Sequence, residues 1–464
     1  MGHIEKGLAL HRQGKLEKAE EQYLLAIGEN FDDWQALLFL GTLYLQRNVI
    51  SLASQMFMRS LDIKKEQLEA WNNLGNCFKA VNKENDAKAC WDQALSVPGR
   101  HKEDYADVYN NLATLFINSG NPRKAEEFSK KCLEINPEHA DGNWNLGLIK
   151  LEQGKYGEGF DQYKWGFSAR NRLMRQYGDK VKYWEGEKDG VVVVWGEQGI
   201  GDEILFSSMI PELQKISKKV IFECHPRLVK IFKESFPDVP CYGTRKDEII
   251  GWVHEEPEMT HKTSIGDLAK HFRRSLDSFP KHTGYLKSTP ERIEFYKNKL
   301  LKIGNRMKVG ISWTGGYVKT RKDYRSIPLE KWLPILKNDC DFISLQYTPE
   351  AYATVADIED RFDIKIHHWP SAVHNDDYNE TAALVSSLDL VITVNTSAHH
   401  LAGALGKPCL TLTPVGKAWR YWSPDGHRNP WYPSVYQYQQ KEQGVWEPII
   451  EEVAKDLKAE VARR

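Results

Sequence analysis

No run of apolar residues in this sequence approaches the ~18 needed to span a bilayer. An excess of one charge is missing too: 63 Lys and Arg face 64 Asp and Glu, and a net charge of −1 gives no global drive toward nucleic acid or anionic membrane. Cysteine is sparse. The 7 residues, Cys77, Cys90, Cys132, Cys224, Cys241, Cys340 and Cys409, form no CxxC pair, and an odd, scattered set reads as reduced thiols in a cytosolic compartment. The opening Met1-Gly2-His3-Ile4-Glu5-Lys6 is amphipathic helix without the apolar core of a secretory signal. Lys6 stands where a myristoylation signal requires Ser or Thr. The expectation is a soluble, cytoplasmic protein. What is present is ordinary globular composition over 464 residues, a length that predicts two or three domains rather than one core.

Internal repetition is the strongest signal. Gly7, Gly41 and Gly75 stand 34 residues apart, Ala113 follows after 38, and Gly147 after another 34. Ala19, Ala53, Ala87 and Ala125 each stand 12 residues after their small anchor, and Tyr23, Phe57 and Trp91 stand 4 further on. Pro137 closes the fourth unit, and Pro98-Gly99 with the charged stretch after it explains the longer third interval. Such a period resembles the tetratricopeptide repeat, in which small residues let two helices approach and aromatics fill the gaps. An α-solenoid over 1–153 is expected. Gly154, Gly157, Gly159 and Gly166 with the Trp165/Trp184 pair break the period, so 154–188 is read as a capping helix and a linker.

From 190 onward β-branched runs alternate with helical patterns, which is βαβ wiring and implies parallel sheets. Strands are expected at 191–195 and 220–224, with a helix over 203–216 between them. The pattern restarts with strands at 309–313, 342–346 and 390–394, after a linker and helix within 284–307. Two α/β halves with a cleft between them follow, and the amphipathic segment 448–463 is free to pack on either.

Three constellations sit at strand ends. Gly196-Glu197-Gln198-Gly199-Ile200-Gly201-Asp202-Glu203 turns from a strand into a helix whose free N–H groups face outward. Its spacing mimics a P-loop, yet Asp202-Glu203 occupy the places of Lys and Ser/Thr, which excludes an ATPase. Asp202 is either a helix cap or a general base at a cleft-facing strand end. Thr314-Gly315-Gly316 precedes Lys319, Arg321, Lys322 and Arg325, a set suited to a diphosphate or to a solvated basic loop. Asn395-Thr396-Ser397-Ala398-His399-His400 opens a small-residue helix with hydroxyls and an amide at its amino end, a phosphate-accepting geometry. Adjacent histidines point to different sides, so at most one lines a site. Asp339-Cys340-Asp341 lies at the amino end of a strand, away from the ligand edge, and is expected at the surface. His367-His368 lacks partners at zinc spacing.

Together, WGEQGIGDEILFSSMIPEL, RSIPLEKW and VITVNTSAHHLAGALGKPCLTL resemble the tetratricopeptide-linked glycosyltransferases related to the lipopolysaccharide heptosyltransferases. The architecture is also similar to that of O-linked N-acetylglucosamine transferase. The resemblance implies an α plus α/β chain: the solenoid, then a GT-B fold of two Rossmann-like lobes, 189–285 on the acceptor side and 286–464 with the C-terminal helix on the donor side. It places the catalytic base on Asp202, with Gln198, Gly199 and Gly201 on the acceptor-side loop. Donor phosphate contacts fall on Gly315, Gly316, Arg325, Asn395, Thr396, Ser397 and His400. It implies a nucleotide-sugar co-substrate, no metal or other cofactor, lobe closure hinged near 284–307, and an acceptor glycan, protein or modified nucleic acid recruited by the repeats. Asn395 departs from the Asp usual in the family. Two other readings stay open: a catalytically degenerate scaffold, and a transferase acting on modified nucleic-acid bases.

Overall fold

The computed structural model describes residues 2–98, 102–244, 250–316, 322–374 and 376–464 and divides into two compact units, Met1–Ile149 and Lys150–Arg464. The first is a helical array: α1 (His3–Arg12), α2 (Leu16–Glu29), α3 (Trp34–Gln46), α4 (Ile50–Ile63), α5 (Leu68–Ala80), α6 (Glu84–Ser96), α7 (Ala106–Asn118), α8 (Pro122–Ile135) and α9 (Ala140–Glu152). The repeat spacing has a direct steric cause. A Cβ on Gly7 would lie 2.5 Å from the Tyr23 ring, one on Gly41 2.8 Å from Phe57, and one on Gly75 2.5 Å from Trp91. Each first helix therefore needs a bare backbone where the aromatic of the second helix rests, and those three rings are fully buried. The Trp91 indole N–H also donates to the Asn72 carbonyl at 3.2 Å. Asn121 and Asp33 cap α8 and α3 with side-chain oxygens.

The second unit holds two sheets. The first has five strands: β1 (Lys182–Tyr183), β2 (Val191–Trp195), β3 (Lys219–Cys224), β4 (Cys241–Gly243) and β5 (His261–Ser264), in the order β1-β5-β2-β3-β4. All its pairings are parallel. The second has seven: β6 (Met307–Ser312), β7 (Cys340–Ser344), β8 (Ile366–His368), β9 (Leu390–Val394), β10 (Cys409–Thr413), β11 (Arg428–Asn429) and β12 (Tyr432–Gln439), in the order β11-β12-β10-β9-β6-β7-β8. Only β11 runs antiparallel. Counted from β6 and leaving aside β11, the order is that of a doubly wound sheet, which reverses direction between β6 and β9; the first sheet reverses between β2 and β5.

The structure departs from the sequence reading in three places and settles a fourth that the sequence left open. The stretch 154–188 belongs to the second unit and supplies its edge strand β1, because Tyr156, Tyr163, Tyr177 and Trp184 are buried there. The helix expected over 203–216 is two, Ile200–Ser207 and Ile210–Gln214, since Pro211 in the first turn of the second cannot continue the first. The helix Glu447–Ala462 packs on the second sheet, where Ile450, Val453 and Leu457 join its core. Asp341 is not at the surface: it lies in β7, 2% exposed, paired with Lys308 and with Arg306 at 2.6 Å. Its place at the amino end of the strand is as expected, and Asp339 beside it is exposed. All seven cysteines are free and buried. Among the described residues no helix is long and apolar enough to cross a membrane.

Removing the Trp91 ring should cost about 3–5 kcal/mol, and adding a methyl at Gly75 about 1–3 kcal/mol. Urea denaturation of Trp91→Ala and Gly75→Ala measures both; a Gly75→Ala protein as stable as the parent would mean that the ring has room to move.

Candidate functional site

Ligands bind open parallel sheets outside the carboxyl ends of the strands, where the strand order reverses. The chemistry-bearing loops of this chain leave the sheets at those points. Gly196–Gly201 follows β2, Ile265-Gly266-Asp267 follows β5, Trp313–Gly316 follows β6, and Asn395-Thr396 follows β9.

In the first sheet the loop is anchored from below. Arg172, whose side chain has no exposed surface, forks onto Glu197 with two bonds of 2.8 Å and reaches Asp267 at 2.7 Å. It also donates to the Tyr163 carbonyl at 2.8 Å and to Ser264, and its guanidinium stacks 4.1 Å from the Phe167 ring. Glu197 accepts the Gly266 N–H at 3.2 Å. The stretch expected as a linker thus plugs the point where this sheet reverses, tying the loops after β2 and β5 together. A second carboxyl, Glu203, lies under Gly196, where a Cβ would come within 2.4 Å of it, and accepts the His225 N–H at 2.8 Å. Burial, reinforced by the charges of Asp202, Glu223 and Glu197, pushes the Glu203 carboxyl up to about 8 against the pull of that N–H.

Asp202 occupies the third position of the helix Ile200–Ser207, and its Oδ2 accepts the Gly199 N–H at 3.3 Å. It is a cap in that sense. Its Oδ1 is taken by Arg420 of the second sheet, whose guanidinium also reaches Gln198 Oε1. Gln198 sits at φ 66°, in the left-handed region that non-glycine residues seldom occupy. Arg420 belongs to the loop after β10, and its carbonyl is fixed by Asn429 Nδ2 at 3.0 Å. The contact between the sheets continues at Gly201, where a Cβ would stand 2.8 Å from His400.

On the second sheet, Arg325 links two of the predicted loops, donating to the Gly315 carbonyl at 3.0 Å and to the Asn395 carbonyl at 3.4 Å. Gly315 is close-packed: a Cβ there would be 2.2 Å from the Thr396 methyl. Gly316 turns the chain at φ 85°. The Gln346 side chain holds this loop by accepting the N–H groups of Trp313 at 3.2 Å and Thr314 at 3.1 Å. The side chains of Asn395 and Thr396 are turned inward. Asn395 Oδ1 accepts the Thr413 hydroxyl at 3.2 Å, and Thr396 Oγ1 caps its own helix at the Ala398 N–H, 3.1 Å. Ser397 opens the helix beside the Tyr378 hydroxyl. His400 is held by the hydroxyls of Tyr432 at 3.1 Å and Tyr421 at 3.2 Å, and burial keeps it far below the ordinary histidine range. His399 bonds Thr411 at 2.8 Å and is driven down to about 3 by the same cause. Both imidazoles are buried, and His400 meets Gly201 of the first sheet's loop as well as Tyr421. Lys319 and Arg321 lie outside the described residues.

The structure therefore brings together Gln198, Gly199, Gly201 and Asp202 from one sheet, and Gly315, Gly316, Arg325, Asn395, Thr396, Ser397 and His400 from the other. Arg420 was missed. Its partner is 218 residues away, and an isolated Arg between aromatics carries no spacing signal. Arg172 was missed because it lies in the stretch read as a linker, 25 residues from the Glu197 that it holds. No group of three or more His, Cys, Asp or Glu suited to a metal occurs among the described residues.

Residues 106–139 match the Tetratricopeptide repeat family model. The first unit carries tetratricopeptide repeats. Protein FlbA of Caulobacter vibrioides is 24% identical over 469 residues, covering 90% of this chain and 77% of FlbA. The human protein O-mannosyl-transferase TMTC3 is 28% identical over 150 residues, 32% of this chain and 16% of TMTC3. Apart from FlbA, the relatives are spanned over less than a third of their length; for the tetratricopeptide repeat-containing protein trd-1 of Caenorhabditis elegans the share is 16% at 26% identity. A crystal structure of MamA overlies 36% of this chain and 94% of its own at 20% identity, with a TM-score of 0.30.

Two outcomes follow from the buried charges. Arg172→Ala leaves Glu197 and Asp267 buried without their cation and should lose about 3–5 kcal/mol of stability, measured by chemical denaturation. Glu203 binds its proton more tightly folded, up to about 8, than unfolded, ~4.3, so its contribution is fully present below pH ~4 and is lost as pH rises through about 8. Glu203→Gln keeps the acceptor for His225 and should raise the melting temperature at about pH 9 while leaving it unchanged near pH 4; the opposite ordering would place a charged carboxylate there at neutral pH.

Proposed function

We propose that the second unit is a metal-independent glycosyltransferase of GT-B architecture, moving a sugar from a nucleoside-diphosphate donor to an acceptor hydroxyl, with the repeats presenting the acceptor. One observation carries this reading: a carboxylate on the reversal loop of the first sheet, Asp202, meets a loop of the second sheet whose neighbours are Arg325, Gly315 and the start of the helix Ser397–Ala404. Base and phosphate-binding groups are the two things such a transfer requires, and they come from opposite sheets.

In this reading Asp202 takes the proton of the acceptor hydroxyl as its oxygen bonds the anomeric carbon. The bond from that carbon to the donor's diphosphate oxygen breaks, and the nucleoside diphosphate leaves. Arg325, the Gly315-Gly316 backbone and the N–H groups at Ser397 stabilise the departing charge. The Asn395 side chain is engaged by Thr413, so the carboxylate missing at this position falls on an interior hydrogen bond rather than on the donor. That weakens the degenerate-scaffold reading. The transferase activity in the name of TMTC3 agrees in class, but with 32% of the chain matched the weight rests on the site.

A panel of nucleotide sugars, assayed for consumption with and without a chelator, is the test. One donor should be turned over regardless of chelator, and Asp202→Asn should lower the rate by at least about 100-fold with folding intact. Near-normal turnover by Asp202→Asn would leave that residue a cap alone, and a chelator-sensitive rate would contradict the metal-free reading.

A further inference from the structure

We propose that Arg420 is a second ligand for the donor's diphosphate, held by Asp202 and Gln198 when no donor is bound and handed over when one arrives. The inference rests on the donor reading above and adds to it an order of events. Both oxygens of the Asp202 carboxylate are engaged, Oδ1 by the Arg420 guanidinium and Oδ2 by the Gly199 N–H. While that pair lasts, the oxygen that Arg420 holds is closed to an acceptor hydroxyl. For Asp202 to take a proton on Oδ1, Arg420 must leave it.

The surroundings say where Arg420 goes. Tyr421, next to Arg420, meets His400 at 3.2 Å on the helix that follows Asn395, and both guanidiniums bear electrostatically on that pair. Arg325 also holds the carbonyls of Gly315 and Asn395. A diphosphate offers more negative charge than one carboxylate and oxygens at a spacing that suits the guanidinium fork. The Arg420 carbonyl is fixed by Asn429, and Asn429 in turn holds the Trp431 N–H at 2.9 Å, so the main chain stays while the side chain turns. With 18% of its surface exposed, the side chain is reachable from solvent. Donor binding and release of the base become one event, which keeps Asp202 covered until there is a sugar to transfer.

The consequence has a sign that a merely structural ion pair does not share. Asp202 and the diphosphate compete for Arg420. Calorimetry on the full chain with pyrophosphate, and with ADP, GDP, UDP and CDP, measures the competition. Arg420→Ala should weaken binding, Asp202→Asn should tighten it by roughly tenfold, and in the double variant the gain from Asp202→Asn should vanish. Circular dichroism melts check that each variant folds; should Asp202→Asn not fold, Gln198→Ala removes the other acceptor and is expected to tighten binding more weakly. Binding that Asp202→Asn leaves unchanged or weakens would overturn the hand-over while leaving the donor reading in place. If neither the parent nor Asp202→Asn binds any of these ligands, the donor reading fails and the hand-over with it.

Discussion

The ion pair between Asp202 and Arg420 joins the reversal loop of one parallel sheet to the loop after the fifth strand of the other, and the arrangement of the site depends on it. Opposite charges at this contact bring Gln198 and Asp202 within reach of a surface otherwise built from Tyr421, His400 and the start of the helix Ser397–Ala404. Close packing does the rest. Gly201 abuts His400, Gly315 abuts Thr396, and Gly403 lies under the Tyr432 ring, where a Cβ would come within 2.3 Å. At each of these points the backbone approaches too near for a side chain, which keeps the two packed segments in close contact.

Charge burial is arranged asymmetrically between the two sheets. The first sheet hides Arg172 with Glu197 and Asp267, and buries Glu203 with a single backbone donor, so its loops are held from inside. The second sheet turns the side chains of Asn395 and Thr396 inward, while the Asn395 carbonyl is held by Arg325. Such an arrangement suits a division in which one sheet holds a base rigidly and the other offers N–H groups and guanidiniums to an anion.

How far the sequence revealed this follows from the range of each interaction. The repeats were legible because Gly75 and Trp91, like Gly41 and Phe57, meet within one helical hairpin, so a steric demand becomes a fixed spacing. Strands β2 and β9 were legible as apolar β-branched runs, and the loops after them followed at once. Strand β5, with the sequence HKTS, carries no such signal, since its burial comes from neighbours on both sides. Arg172 and Arg420 are single cations whose partners lie far along the chain, and nothing local marks them. The stretch 154–188 lost its helical period because it changes partners from helix to sheet, and a loss of period reads as linker when it is in fact a change of packing.

The central claim is that the loops after β6, β9 and β10 form one diphosphate site facing Asp202. Amide hydrogen exchange of the full chain, with and without a saturating nucleoside diphosphate, tests it most directly. Slower exchange is predicted at 313–316, 395–401 and 418–422 together, with the repeats unchanged. Protection confined to the repeats, or none in any of the three loops with ligand demonstrably bound, would contradict it.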